Sequence, residues 1–163
     1  MPTAVPETIA LEIVSRLQQI TTGNGYNFTV AEVVRPTRLQ KNITPRHLQI
    51  QVVQAIDSYN EALSHEGAPP AMAYDLVFNL HCFVRDSDAS TTPRATTEND
   101  MATAVRKAIC DSADWYNFEG NAIIADWGQS RPFVSPEGEH SGVTVPLVVT
   151  YRVSETDPYT ARA

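Results

Sequence analysis

The chain has 163 residues, 42% of them hydrophobic, with 19 acids against 12 Lys and Arg for a net charge of −7. That length fits one domain with a sizeable core. No apolar run approaches the ~20 residues of a membrane-spanning helix, and the acidic balance excludes a protein that grips nucleic acid with its whole field.

The first predicted element is an amphipathic helix. Ile9, Ile13, Leu17 and Ile20 recur at helical spacing, Ala10 and Val14 widen the stripe, and Glu12 and Arg16 pair at i,i+4 on the wet side. Nothing in MPTAVPETIALEI resembles the basic and apolar parts of a secretory leader, so none is expected, and the two N-x-T matches at Asn27 and Asn42 therefore carry no weight. Gly23, Asn24 and Gly25 supply residues that tolerate positive φ at a helix end. Tyr26, Phe28 and Val30 then alternate with polar and small residues, which predicts a first strand closed by Pro36.

Residues 35–46 (RPTRLQKNITPR) hold Arg35, Arg38, Lys41 and Arg46 and no acid, a basic connection between strands. Leu48, Ile50 and Val52 predict a second strand ending near Ile56, and residues 57–70 read as a polar loop or short helical turn. The third strand is the longest, with Met72, Tyr74, Leu76, Phe78, Leu80, Cys82 and Val84 facing the core, because the opposite register would bury Asp75 and Asn79. Residues 86–96 form a polar loop. Thr97 to Asp100 resembles a capping box that opens a second helix, carrying Met101, Ala104, Val105, Ala108 and Ile109 on one side.

Trp115, Tyr116 and Phe118 cluster near the end of that helix. Residues 122–127 predict a short strand and 129–141 a loop. Val143, Val145, Leu147, Val149, Tyr151 and Val153 face inward along a last strand, which Pro146 marks as an edge strand or a bulged one. The order is α-β-β-β-α-β-β. It predicts a single α+β domain over residues 1–163: a mostly antiparallel twisted sheet of about five strands, two amphipathic helices packed on one face, and a loosely ordered tail at 154–163. Part of the other face is left open, and domains of this kind often assemble through such a face or a sheet edge. Cys82 and Cys110 fall in an apolar strand and an apolar helix and read as buried free thiols of a reducing compartment.

A search for chemistry finds no catalytic, cofactor or metal residue. His47, His65, His81 and His140 lack ligand spacing, and His81 and Cys82, adjacent in a strand, point opposite ways. Asp86-Ser-Asp88 begins like a calcium loop but has Thr91 and Thr97 where Gly and Glu are required. Ser141 beside His140 does not sit centrally between glycines as a nucleophile elbow demands. No phosphate-cradling Gly motif is present. Asp111, Asp114 and Glu119 read as a solvated face, and the Trp115 cluster as core or interface packing, since its acidic surroundings argue against stacked bases.

Three pieces of the chain together resemble the tail terminator (tail completion) proteins of siphophages. They are IVSRLQQITTGNGYNFTVAEVVRP, with its helix, NGY turn and strand; YDLVFNLHCFVRDSD followed by the helix TENDMATAVRKAI; and GVTVPLVVTYRVSETDPY, a last strand running into Tyr-Arg and Asp-Pro-Tyr. The resemblance covers most of the chain and lies in structural pattern. It implies a virion protein without enzymatic activity or cofactor. Such a protein forms a homo-oligomeric ring, a hexamer, on the head-proximal end of the tail tube. The ring stops tube polymerisation, meets a head-completion or connector protein, and lets DNA pass through its lumen unbound. Assembly would take place in the host cytoplasm, with no membrane involved. The candidate protein–protein interface is Arg35, Arg38, Lys41, Arg46, Asp86, Asp88 and Tyr159, the basic loop meeting acids supplied from residues 86–139, a region with ten acids and four bases. The alternatives are another connector component, a stopper or joining protein, a small cytosolic enzyme with a site assembled from distant residues, and a simple binding module.

Overall fold

Helical periodicity sets which way the first element faces. In the computed structural model, which describes residues 3–36, 46–64, 70–85, 94–111, 113–134 and 140–161, helix α1 spans Val5–Leu17 and buries Val5, Ile9, Ala10, Ile13 and Leu17. Pro6 occupies the first turn, where a missing N–H costs no intrahelical bond. The positive φ of +78° expected near the helix end falls at Gly25. It closes a separate 3-10 turn, Thr22–Asn24, and not α1 itself.

The first strand is shorter than its alternation predicts. Strand β1 is only Glu32–Val34. Tyr26, Phe28 and Val30 pack against the core from irregular backbone. Their stretch bonds back to the helix exit: Val30 N donates to Ile20 O at 2.9 Å and Tyr26 N to Thr21 O at 3.3 Å. Those donors are therefore not available to a ladder.

Strand β2, Gln49–Tyr59, pairs parallel with β1 and antiparallel with β3, Ala71–Arg85. Helix α2 spans Arg94–Ile109, so it starts three residues before Thr97, which is a helical residue and not the cap. Strands β4, Ile124–Trp127, and β5, Arg131–Val134, follow; then come β6, His140–Ser154, and β7, Asp157–Ala161. The sheet has seven strands, in the order β1-β2-β3-β6-β4, with β5 and β7 also paired to β6. Among the described residues only the β1–β2 pair is parallel. The class is α+β, as expected. The two strands beyond the expected five are β5, inside the predicted 129–141 loop, and β7, inside the predicted loose tail. A 15-residue β6 offers more ladder than β4 alone can satisfy, and these short segments take up the remainder.

That arrangement corrects the reading of Pro146. Strand β6 is central, paired along its whole length with β3. On its other side β4 reaches Leu147 and β5 begins opposite Thr144, so Pro146 sits at the gap between them. Gly128 N donates to Pro146 O at 2.9 Å across that gap. In an antiparallel strand a residue's N and O point the same way. The missing proline donor therefore faces the break in the ladder, and its cost is small.

Both helices cover one face. Met101, Val105 and Ile109 of α2 join Ile9, Ile13 and Leu17 of α1 over Leu76, Phe78, Leu80 and Cys82 of β3 and Val145, Leu147 and Val149 of β6. Met72 and Tyr74 share that face but are only half-buried, contrary to expectation. Near Tyr74 the helical cover comes from the start of α1, at Ala4 and Pro6, beside an open cavity. Ala71 and Ala73 are the buried residues at this end, 4% and 0% exposed. The expected turn within 57–70 is a 3-10 turn, Glu61–Leu63, folded over the end of β3. Asn60 bonds Asp75 at 3.0 Å, Ser64 Oγ accepts from Ala73 N at 2.9 Å, and Arg152 Nε donates to Leu63 O at 2.8 Å.

Candidate assembly surface

A single-residue bulge shapes the outer part of the sheet. Gln54 lies opposite Phe78 and Ile56 opposite Val77, leaving Ala55 without a partner on β3. An inserted residue reverses the alternation beyond it. Ile50 and Val52 face the helices, but Ile56 is turned to the helix-free face while Asp57 and Tyr59 join the helix side opposite Leu76 and Tyr74. From Gln54 to Tyr59 every residue is exposed. Beyond Gln51, β1 no longer pairs with β2, and no other described strand takes its place.

The helix-free face carries an apolar row. Ile56, Val77 and Val148 lie side by side on β2, β3 and β6, with Asp126 of β4 beyond them. Ile124 stands one rung away beside Thr150. Ile56 is 55% exposed and Ile124 50%. A second row on this face is aromatic: Phe133 packs edge-on against Phe83 at 5.2 Å and His81 at 6.1 Å between ring centres. His81 Nδ1 lies 2.9 Å from Thr144 Oγ1. Burial holds the His81 imidazole below its ordinary 6.5, so it is neutral near pH 7.

On the helix side, beyond the end of α1, four tyrosines gather around one carboxylate. Tyr74 stacks on Tyr151 at 5.6 Å, and Tyr59 meets Tyr74 edge-on at 5.9 Å. The Tyr151 hydroxyl lies 3.2 and 3.3 Å from the two Asp57 carboxylate oxygens and donates to them. Burial, and then the Asp57 charge, push the Tyr151 phenol well above its usual range. Asp57, Tyr74 and Tyr151 line a cavity of 330 Å³ with Ala4, Pro6, Val153 and Tyr159, and Tyr59 touches Tyr74 from outside that lining.

The sequence-based interface residues scatter. Arg35 pairs with Glu7 of α1 inside the same chain. Arg46 is exposed ahead of β2. Tyr159 is 51% exposed on β7 beside the tyrosine cavity. Arg38, Lys41, Asp86 and Asp88 lie outside the described residues, as does most of the 86–96 loop; residues 94–96 are the first turn of α2. Asp111, Asp114 and Glu119 line a 500 Å³ groove beside Arg16. Sequence reasoning missed Ile56, Asp57, Tyr59 and Ile124, because nothing in QIQVVQAIDSY marks Ala55 as the bulge. Ser141 is buried and donates to Val84 O at 3.2 Å, in keeping with a structural serine. Cys82 is buried and burial pushes its thiol up to about 12. Cys110 is only half-buried, less than its apolar surroundings predicted.

Among the described residues no three His, Cys, Asp or Glu side chains gather in a way that would hold a metal ion, and no helix is long and apolar enough to cross a membrane. No family model matches the chain, and no curated protein matches it.

Proposed function

We propose that the chain is a phage tail terminator: a structural subunit that forms a ring on the head-proximal end of the tail tube, ends tube growth and presents a surface to the head connector. The observation that carries this reading is the helix-free sheet face, where half-exposed Ile56 continues through Val77 to Val148, with half-exposed Ile124 one rung away beside Thr150. A contiguous apolar row on an uncovered face is what a subunit leaves open for another chain. The adjoining edge of β2 beyond Gln51 favours the same conclusion, since among the described residues no strand protects it. By contrast β5 and β7 contain Pro132 and Pro158, which blunt their edges. An edge that pairs with a different edge of the next copy is a heterologous contact, and such contacts form a ring when the rotation between copies closes. A net charge of −7 suits a lumen through which DNA slides without adhering.

The test is to mix the purified chain with its tail tube protein and image the products. Tubes capped at one end by a ring of several copies support the proposal. Uncapped tubes, with the chain bound instead to the connector, favour a stopper or joining protein.

A further inference from the structure

We propose that the tyrosine cavity beside Asp57 is a binding site for a cationic side chain, and that its occupant is the basic segment 35–46 of a second copy. This rests on the reading of the chain as a self-assembling subunit. Three features of the cavity select a cation. Tyr74, Tyr151 and Tyr159 line it with aromatic rings, and ring faces attract Lys and Arg. The Asp57 carboxylate takes one neutral O–H, from Tyr151, and among the described residues it forms no ion pair. Tyr159, which lines the cavity, is 51% exposed, so the mouth is open. The positive end of α1 lies nearby at Ala4, and Glu7 in its first turn opposes that charge.

Charge complementarity names the occupant. Residues 35–46 carry four bases and no acid. Within that segment Arg35 is held by Glu7, which leaves Arg38, Lys41 and Arg46, and most other described cations are already engaged: Arg16 with Glu12, Arg106 with Ser130, Lys107 with Gly25 O and Arg152 with Leu63 O. Arg131 is exposed but stands apart from any basic run. Arg46 sits at a turn just ahead of β2, where Gln49 N donates to Arg46 O, and Asp57 lies eight residues beyond Gln49 along the strand, which at about 3.3 Å per residue separates them by roughly 26 Å. A side chain cannot cross that span, so Arg46 of one copy can reach the cavity only of another. Such a contact joins two different patches and runs head to tail, as a ring requires.

Two measurements test this. A synthetic peptide of residues 35–46 is titrated into the full chain and followed by NMR. It should shift the Tyr59, Tyr74 and Tyr151 ring signals, bind at least five-fold more weakly to Asp57→Asn, and weaken as salt is raised. Separately, Asp57→Lys and a chain carrying Arg38→Glu, Lys41→Glu and Arg46→Glu should each fail to form rings on tubes, while their equimolar mixture recovers them, because the reversed charges pair across subunits. Peptide binding unchanged by Asp57→Asn overturns the site. A mixture that stays unassembled overturns the second copy as its occupant, including the case of a basic segment acting within its own chain. If the wild-type chain forms no rings, the ring reading fails and the peptide titration still decides the cavity.

Discussion

Arg16 Nη1 donates to the carbonyl of Ile109, ninety-three residues away, at 2.9 Å. Ile109 is the last residue of α2, one of the four carbonyls a helix leaves without an internal partner. The same Nη1 reaches Trp115 O at 3.1 Å, Nε holds Glu12 at 2.7 Å, and the guanidinium lies 4.8 Å from the centre of the Phe118 ring. Arg16 therefore fastens α1 to the end of α2 and to the 3-10 turn Trp115–Asn117. The Glu12 pair is the one the sequence predicts, yet the Arg16 side chain is only 14% exposed, so it sits half-buried at the rim of the groove and not on a fully wet side.

Replacing Arg16 by Met keeps much of the bulk and removes these donors. The carbonyls of Ile109 and Trp115 lose their partner in a half-buried site, a loss of about 1–3 kcal/mol. Hydrogen exchange should quicken over residues 106–117 as the denaturation midpoint falls. An unchanged midpoint would make this bridge energetically idle.

Leu76 is fully buried in the middle of β3, beneath both helices. Leu76→Ala should destabilise the fold by about 2–5 kcal/mol through lost burial and the cavity left behind. Urea denaturation measures this directly; a loss below that range would show that the helices collapse into the space.

Gly142 has no room for a side chain. A Cβ there would stand 1.9 Å from the Cys82 carbonyl oxygen and 3.0 Å from the Phe133 ring. Since the nearest obstacle is backbone, relief requires β3 and β6 to part. Gly142→Ala should therefore cost on the order of 1–3 kcal/mol or more, and it should perturb the Phe133 signals by NMR. Wild-type stability in that variant would contradict the close approach of these strands.

His81 makes stability depend on pH in a defined direction. Its folded pKa lies below the ordinary 6.5, so the unfolded chain takes up the proton first. Its contribution is therefore neutral above pH 6.5, becomes destabilising as the pH falls from there towards the folded value, and levels off below it. His81→Gln should flatten that part of the acid limb. NMR titration of the ring gives the direct check, and a midpoint at or above 6.5 would reverse the sign.

Four elements were legible in the sequence because their burial follows a local period. The stripes of α1 and α2 and the alternations of β3 from Leu76 to Val84 and of β6 from Val143 to Val153 all end in the core, so 3.6- or 2-residue spacing reports it directly. The α+β class follows from their order. The candidate surface was not legible in the same way. Whether Ile56 faces solvent depends on which residue of β2 is left unpaired opposite β3, a property of two strands together. Arg35 looks like a solvated base until folding brings Glu7 to it. Pro146 argues for an edge in isolation, and only the meeting of β4 and β5 along β6 gives it a gap in a central strand. Arg131–Val134 and Asp157–Ala161 carry too little pattern to announce strands, and they become β5 and β7 because β6 has backbone groups left to satisfy. The sequence by itself determined the helices, the central strands and the class, since side-chain periodicity encodes burial against a neighbour that spans the whole element. The tertiary structure alone decided the register beyond Ala55, the edges and the tyrosine cavity, because these depend on pairing between segments far apart in the chain.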